Sequence, residues 1–135
     1  MSIAQETAAF YRNLVDRAAA EDEVPDRGEG RGIVIAAGGA RMFTCAWVAI
    51  RMLREQLGVT LPIEVWHLGP REMSPAMAAL LADLGVDVVD ALTLPEAKEA
   101  RMLGGWELKP FAVRHCRFRE VLLLDADNVA IEDPT

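Results

Sequence analysis

The chain has 135 residues, of which 52% are hydrophobic, and this is enough for one compact domain with its own hydrophobic core. A formal charge of -7 argues against a nucleic-acid surface, because such a surface needs a stripe of basic residues. No run of about 18 apolar residues and no signal-peptide pattern occurs, so we expect no membrane span and a cytoplasmic location.

The N-terminal region differs in composition from the rest of the chain. Apolar residues recur at near-helical spacing between positions 3 and 20 and predict an amphipathic helix. Residues 21–31 are charged and contain Pro25 and several glycines, which is typical of a linker. We therefore assign residues 1–31 to a helix and linker, and residues 32–135 to the domain proper.

From Gly32 onward, predicted strands alternate with predicted helices. Ser74 and Pro75 have the residue types of an N-cap and a first-turn proline, so they mark the start of one helix. The predicted strands are 33–37, 61–68, 86–89 and 120–124, the predicted helices are 42–57, 75–84 and 107–116, and 91–105 is a loop with a helical turn. This order predicts an α/β fold with a mainly parallel sheet and helices on both faces.

Several other side chains have expected structural positions. The three tryptophans, Trp47, Trp66 and Trp106, are expected in the core. Cys45 and Cys116 show no metal-ligand spacing and are interpreted as small buried residues. The arginines of the helix predicted over 42–57, Arg51 and Arg54, are expected on its solvated face.

The fourth predicted strand runs directly into two acids, Asp125 and Asp127, followed by Asn128. An i, i+2 spacing after an extended segment directs two carboxylates to one region. Mg²⁺ and Mn²⁺ take oxygen ligands and are commonly held by one or two carboxylates together with substrate phosphates. The sequence therefore predicts a metal and diphosphate site at this strand end, where open α/β sheets bind ligands.

Three other interpretations of the same segment remain open. Asp125, Asp127 and Asn128 are also common turn formers. The segment also fits the nucleophile motif of haloacid-dehalogenase phosphatases, with Asp125 as nucleophile and Asp127 as acid/base, although that motif normally opens its domain. In a third, non-enzymatic reading, the chain is an interaction module that has no affinity for nucleotide sugars.

Two glycine-containing segments are further candidates for ligand binding. Ala36, Ala37, Gly38 and Gly39 follow the first predicted strand, and a glycine there lets a ligand approach the backbone. The segment 104–110, GGWELKP, precedes the acidic strand and contains Lys109, which can neutralise a phosphate as a point charge.

An ordered set of segments carries a family resemblance: GIVIAAGG, LPIEVWHLG, GGWELKPFAV and VLLLDADNVAIEDP. Together they resemble the N-terminal part of the fungal-type α-mannosyltransferase family. Members of this family are nucleotide-sugar glycosyltransferases of the GT-A fold. The resemblance extends from Gly32 to Pro134.

The resemblance implies a sugar-nucleotide donor, GDP-mannose or a UDP-sugar, and a glycan or other hydroxyl acceptor. By the same resemblance, the donor's base would lie near Ala36 to Gly39 and its diphosphate would bind through Mn²⁺ or Mg²⁺ at Asp125 and Asp127. Lys109 would lie near the donor phosphate or sugar.

The chain also departs from this family. Family members continue past the acidic strand, so we expect a donor-binding part of a GT-A domain that ends after that strand and leaves an exposed sheet edge near it. Eukaryotic relatives are anchored in Golgi membranes, whereas this sequence shows no anchor. The sequence assigns no catalytic base, and it does not fix the stereochemical outcome.

Overall fold

The computed structural model describes residues 3–20, 28–98 and 103–135. Helix α1 (Ile3–Ala20) coincides with the predicted N-terminal helix, and its side chains Phe10, Tyr11 and Val15 are exposed. Residues 21–27 of the predicted linker and residues 99–102 of the predicted loop lie outside the described residues. In the described ranges, no helix is both long enough and apolar enough to cross a bilayer.

The domain is built on a parallel sheet of four strands, which confirms the predicted α/β class. The strands are β1 (Arg31–Ala36), β2 (Ile63–His67), β3 (Val86–Asp90) and β4 (Glu120–Leu123). Their order across the sheet is β3-β2-β1-β4, and every neighbouring pair is parallel. Strand β1 is therefore central and carries β4 on the side opposite β2.

The helices match the predicted ones in number and order, with shifted ends. They are α2 (Gly39–Arg51), which continues as a π-helical turn (Met52–Gln56), α3 (Pro75–Ala82) and α4 (Leu108–His115). Short 3₁₀ turns occupy Ala91–Thr93, Pro95–Lys98 and Gly105–Glu107. Ser74 caps α3 as predicted, because its Oγ accepts a hydrogen bond of 3.2 Å from Met77 N.

Two core clusters cover the two faces of the sheet. On one face, Ile33 and Ile35 pack in a cluster that includes residues of α2 and α3 such as Ile50 and Leu81. On the other face, Val34 and Trp66 pack in a cluster that includes residues of α4. Because the side chains of a strand alternate between faces, the uninterrupted apolar run of β1 serves both cores.

A close contact between a glycine and a ring brings β4 alongside β1. Phe118 is buried just before β4, and its ring lies against Gly32 of β1. A Cβ on Gly32 would lie 2.4 Å from three atoms of that ring. Because Gly32 has no side chain, the Phe118 ring can pack against β1 next to the start of β4.

One carboxylate, that of Glu64, is buried near the amino end of β2. Its Oε2 accepts a hydrogen bond of 2.8 Å from Trp66 Nε1, and its Oε1 lies 3.6 Å from Arg117 Nε. A buried carboxylate needs such partners, since its charge is otherwise unfavourable in the interior. These contacts indicate that Glu64 has a structural role.

The expected solvated position of Arg54 is wrong. Its guanidinium is partly buried and donates hydrogen bonds to four backbone carbonyls, those of Val59 and Leu61 at 2.7 Å each, Leu84 at 3.2 Å and Gly85 at 3.4 Å. These carbonyls belong to the loops that precede β2 and β3. The helical periodicity places Arg54 on the helix surface, but those loops cover that part of the surface.

We expect Arg54→Ala to lower the free energy of unfolding by about 2–3 kcal/mol, because hydrogen bonds from a charged donor are lost and carbonyls are left unpaired. Urea denaturation measures this change. Arg51 is the matched control, since it forms an exposed ion pair of 2.6 Å with Glu55. Arg51→Ala should leave the denaturation midpoint unchanged, and an equal loss in both variants would contradict the assigned role of Arg54.

The two cysteines differ in environment. Cys116 is buried and its Sγ lies 3.4 Å from the carbonyl of Val113, whereas Cys45 on α2 is half-buried. Burial raises the pKa of the Cys116 thiol, which lowers its thiolate fraction at any pH below that value. The expectation of two buried cysteines is thus met fully by Cys116 and in part by Cys45.

We therefore expect an aromatic disulfide reagent at pH 8 to label Cys45 first and Cys116 only after unfolding. The thiolate is the reacting species, so burial and the raised pKa both slow the reaction of Cys116. Mass spectrometry of peptides after timed labelling distinguishes the two sites. Equal rates for both thiols in the folded protein would contradict the packing around Cys116.

Candidate functional site

The order of the strands defines a switch point in the sheet. The chain adds β2 and then β3 on one side of β1, and afterwards places β4 on the other side. In open α/β sheets, ligands bind in the crevice outside the carboxyl ends of the strands at the point where the order reverses. The topology therefore predicts a ligand-binding crevice at the carboxyl ends of β1 and β4.

A cavity of about 330 Å³ lies at this point. Its walls come from the residues that follow β1, β2 and β4 and from the segment that begins α4. Apolar walls are provided by Met42, Leu68 and Leu108, and charged groups by residues described below. Apolar walls with a few convergent polar groups are typical of small-molecule sites.

Asp125 and Asp127 both line this cavity. Leu124 N still donates a hydrogen bond of 3.0 Å to Val34 O, after which Asn128 N donates to Asp125 O at 3.0 Å and closes a turn. Ala126 between the acids is buried in the core that contains α2 and α3. Ala126 also lines the cavity, so all three residues of the acidic turn form part of its wall.

Lys109, near the start of α4, also lines the cavity. Its ammonium forms an ion pair with Asp125 Oδ1. The same ammonium lies 4.4 Å from the centroid of the Trp106 ring, within the range of a cation–π interaction. The structure thus brings together Lys109 and the acidic turn, which are separate in the sequence.

The expectation that Trp106 lies in the core is wrong. Its side chain is 79% exposed and lies at the cavity wall, whereas Trp66 is buried as predicted and Trp47 is partly buried. The preceding glycines allow a turn in which Gly105 has a φ of +51°, and Leu108 fills the core position at the start of α4. Composition alone could not show which of these two apolar residues is buried.

The four residues predicted near the donor base take different positions. Ala36 and Gly38 line the cavity. Ala37 is buried in the core and donates a hydrogen bond of 2.9 Å to Trp66 O. Gly39 begins α2 with a φ of +75° and donates to Glu72 O at 2.9 Å.

Glu72, in the loop after β2, is a cavity residue that the sequence analysis did not single out. Its Oε2 accepts a hydrogen bond of 2.8 Å from Leu68 N. A Cβ on Gly38 would lie 1.9 Å from that oxygen, so the carboxylate occupies the space that this glycine leaves open. No spacing pattern in the sequence marks this single acid, which follows Arg71 in a loop, as a site residue.

The charged groups of the cavity are mainly acidic: Glu72, Asp125 and Asp127 face one lysine, Lys109. An anionic ligand therefore needs a further cation. The described residues contain no group of three or more His, Cys, Asp or Glu side chains arranged to hold a metal. Two carboxylates nevertheless suit Mg²⁺ or Mn²⁺, because such ions retain waters and complete their coordination with substrate phosphates.

Comparison with known proteins identifies a family for this chain. A family model described as "Mannosyltransferase putative" matches residues 30–135, a range that includes all four strands of the sheet. Neither the curated proteins nor the solved structures give a significant match. The matched range contains every strand and all residues of the cavity, and the chain accordingly belongs to this mannosyltransferase family.

Proposed function

We propose that the chain binds a nucleotide-diphosphate sugar, such as GDP-mannose, with Mn²⁺ or Mg²⁺ at Asp125 and Asp127. The sugar would then be transferred to a hydroxyl group of a glycan or another acceptor. The observation that supports this most is the position of both carboxylates in one cavity at the switch point of the sheet.

The proposed roles follow from the chemistry of each group. A bound divalent ion would act as a Lewis acid that stabilises the charge of the leaving diphosphate. Asp125 and Asp127 would hold that ion with their oxygens, and Lys109 would lie beside the phosphates as a positive charge. The apolar walls at Met42 and Leu108 would exclude water, which strengthens these electrostatic interactions.

Titration calorimetry of the purified chain with GDP-mannose and with UDP-glucose, each with and without Mn²⁺, tests this proposal. We expect binding that depends on the metal, because the cavity is acidic without it. Absence of binding to either donor in the presence of Mn²⁺ would contradict the proposed function and favour the non-enzymatic interpretation.

Replacing Lys109 with alanine should weaken donor binding about 10- to 100-fold, since hydrogen bonds to charged groups are commonly worth about 1.5–3 kcal/mol. Lys98 is the matched control, because it is exposed on a 3₁₀ turn and does not line the cavity. The same calorimetric titration measures both variants. Equal affinities for Lys109→Ala and Lys98→Ala would argue against a phosphate-binding role for Lys109.

A further inference from the structure

We propose that the ammonium group of Lys109 competes with the divalent cation for Asp125, so that the cation and a diphosphate bind interdependently. This inference rests on the proposed function, because it assigns the cation to Asp125 and Asp127. It adds a second role for Lys109, which is to regulate when the acidic turn accepts a cation.

The competition follows from the contact that Lys109 makes. Its ammonium forms an ion pair with Asp125 Oδ1, an oxygen of one of the two carboxylates proposed to hold the cation. A divalent cation on this carboxylate would lie next to the ammonium, and like charges at such short separations repel each other. Coordination through the second oxygen does not avoid the repulsion, because both oxygens belong to one small group. Lys109 must therefore leave Asp125 before the cation binds there.

The ion pair is more than a solvated surface contact. The side chain of Lys109 is 24% exposed and that of Asp125 is 41% exposed, so salt screens their attraction less than that of a fully exposed pair. In the same position the ammonium lies 4.4 Å from the centroid of the Trp106 ring, which is a second favourable contact. Displacement of Lys109 by a cation therefore opposes the binding of that cation.

Asp127 does not compensate for the loss of Asp125. It is exposed at the cavity, and in the described part of the chain it forms no ion pair. While Lys109 stays on Asp125, the acidic turn thus offers a divalent cation a single free carboxylate. Mg²⁺ is usually held by one or two carboxylates together with substrate phosphates, so we expect the cation alone to bind weakly.

A diphosphate removes the competitor. Among the described residues that line the cavity, Lys109 is the only base. Its ammonium has three donors on a flexible stem and can turn from Asp125 to a phosphate oxygen. Asp125 then becomes available to the cation. By thermodynamic linkage, the cation raises the affinity for diphosphate by the same factor as diphosphate raises the affinity for the cation.

The first test measures Mn²⁺ affinity in the absence of nucleotide, from the electron paramagnetic resonance signal of free Mn²⁺. Lys109→Met removes the competitor, so the affinity for Mn²⁺ alone should rise at least about fivefold, whereas binding of Mn²⁺-pyrophosphate should weaken about tenfold. A residue that only binds phosphate would leave the first affinity unchanged, and one that only supports the fold would weaken both. Lys98→Met, on an exposed 3₁₀ turn outside the cavity, should behave as wild type.

The second test uses the wild-type chain and therefore does not depend on the folding of a variant. Lys98 and Lys109 are the only lysines in the sequence, so acylation by an amine-reactive ester reports on Lys109 with Lys98 as internal reference. Peptide mass spectrometry measures both rates. Mg²⁺ alone, at a saturating concentration, should accelerate the acylation of Lys109, because its amine is released from the carboxylate. Addition of pyrophosphate should slow it again.

The outcomes separate this inference from the proposed function. Failure of the wild-type chain to bind Mn²⁺-pyrophosphate would overturn the proposed function and the inference with it. Normal binding of that complex, with the same affinity for Mn²⁺ alone in wild type and Lys109→Met, would overturn the inference only. A higher Mn²⁺ affinity in Lys109→Met, with wild-type acylation of Lys109 unaffected by Mg²⁺, would also overturn it, because the substitution would then act only through long-range charge.

Discussion

Asp127→Ala is expected to abolish metal-dependent donor binding while the fold persists. Asp127 is exposed at the cavity, so its removal should change the free energy of unfolding by no more than about 0.5 kcal/mol. With one carboxylate left, the acidic turn offers a divalent ion a single side-chain ligand. In titration calorimetry with GDP-mannose, the binding heat that depends on Mn²⁺ in the wild type should therefore be absent in this variant.

A matched control for this variant is available a few residues further along the chain. Asp133 is exposed, accepts hydrogen bonds from Thr135 and does not line the cavity. Asp133→Ala should bind donor and metal as the wild type does. Retention of metal-dependent binding in Asp127→Ala would remove Asp127 from the site, and an equal loss in both variants would indicate a general charge effect.

Gly32→Ala should be the most destabilising of the single substitutions considered, with a loss of about 2–4 kcal/mol in the free energy of unfolding. The new Cβ would overlap three atoms of the Phe118 ring, and that ring is buried in the core beside α4. Overpacking of a core commonly costs about 1–3 kcal/mol and sometimes more. Denaturant titration of the variant measures the loss.

A second substitution distinguishes this steric effect from a general cost of alanine. In a Gly32→Ala background, Phe118→Leu should recover part of the lost stability, because the smaller side chain makes room for the methyl group. Gly104→Ala is the matched control, since its φ is extended and nothing lies within 4 Å of its added Cβ. Additive losses in the Gly32 and Phe118 double variant would contradict the assigned contact.

The elements of the fold could be predicted where local sequence determines them. The apolar run of β1 and the Ser74-Pro75 helix start have the expected structures. The order β3-β2-β1-β4 could not be predicted from these patterns, because the place of β4 depends on contacts distant in sequence, such as Gly32 with Phe118. The partly buried position of Arg54 could not be predicted for the same reason, since two of its four partners, the carbonyls of Leu84 and Gly85, lie 30 and 31 residues further along the chain.

The candidate site was predicted in part. The spacing of Asp125 and Asp127 identified the acidic turn, and the segment 104–110 identified Lys109, both of which lie in the cavity. Glu72 was missed because a single acid in a loop has no spacing that sets it apart from a solvated residue. The exposure of Trp106 was missed because a tryptophan between glycines and a helix start can face the core or a ligand cavity.

We propose that a metal and a nucleotide bind together at the carboxyl ends of β1 and β4. Amide NMR spectra of the labelled chain, recorded with Mg²⁺ and GDP and then with small amounts of Mn²⁺, test the location directly. We predict paramagnetic broadening centred on residues 125–128 and Lys109, with little change at the opposite edge near Arg31 and Glu120. Broadening centred elsewhere, or the absence of broadening when nucleotide is present, would contradict a metal site at the acidic turn.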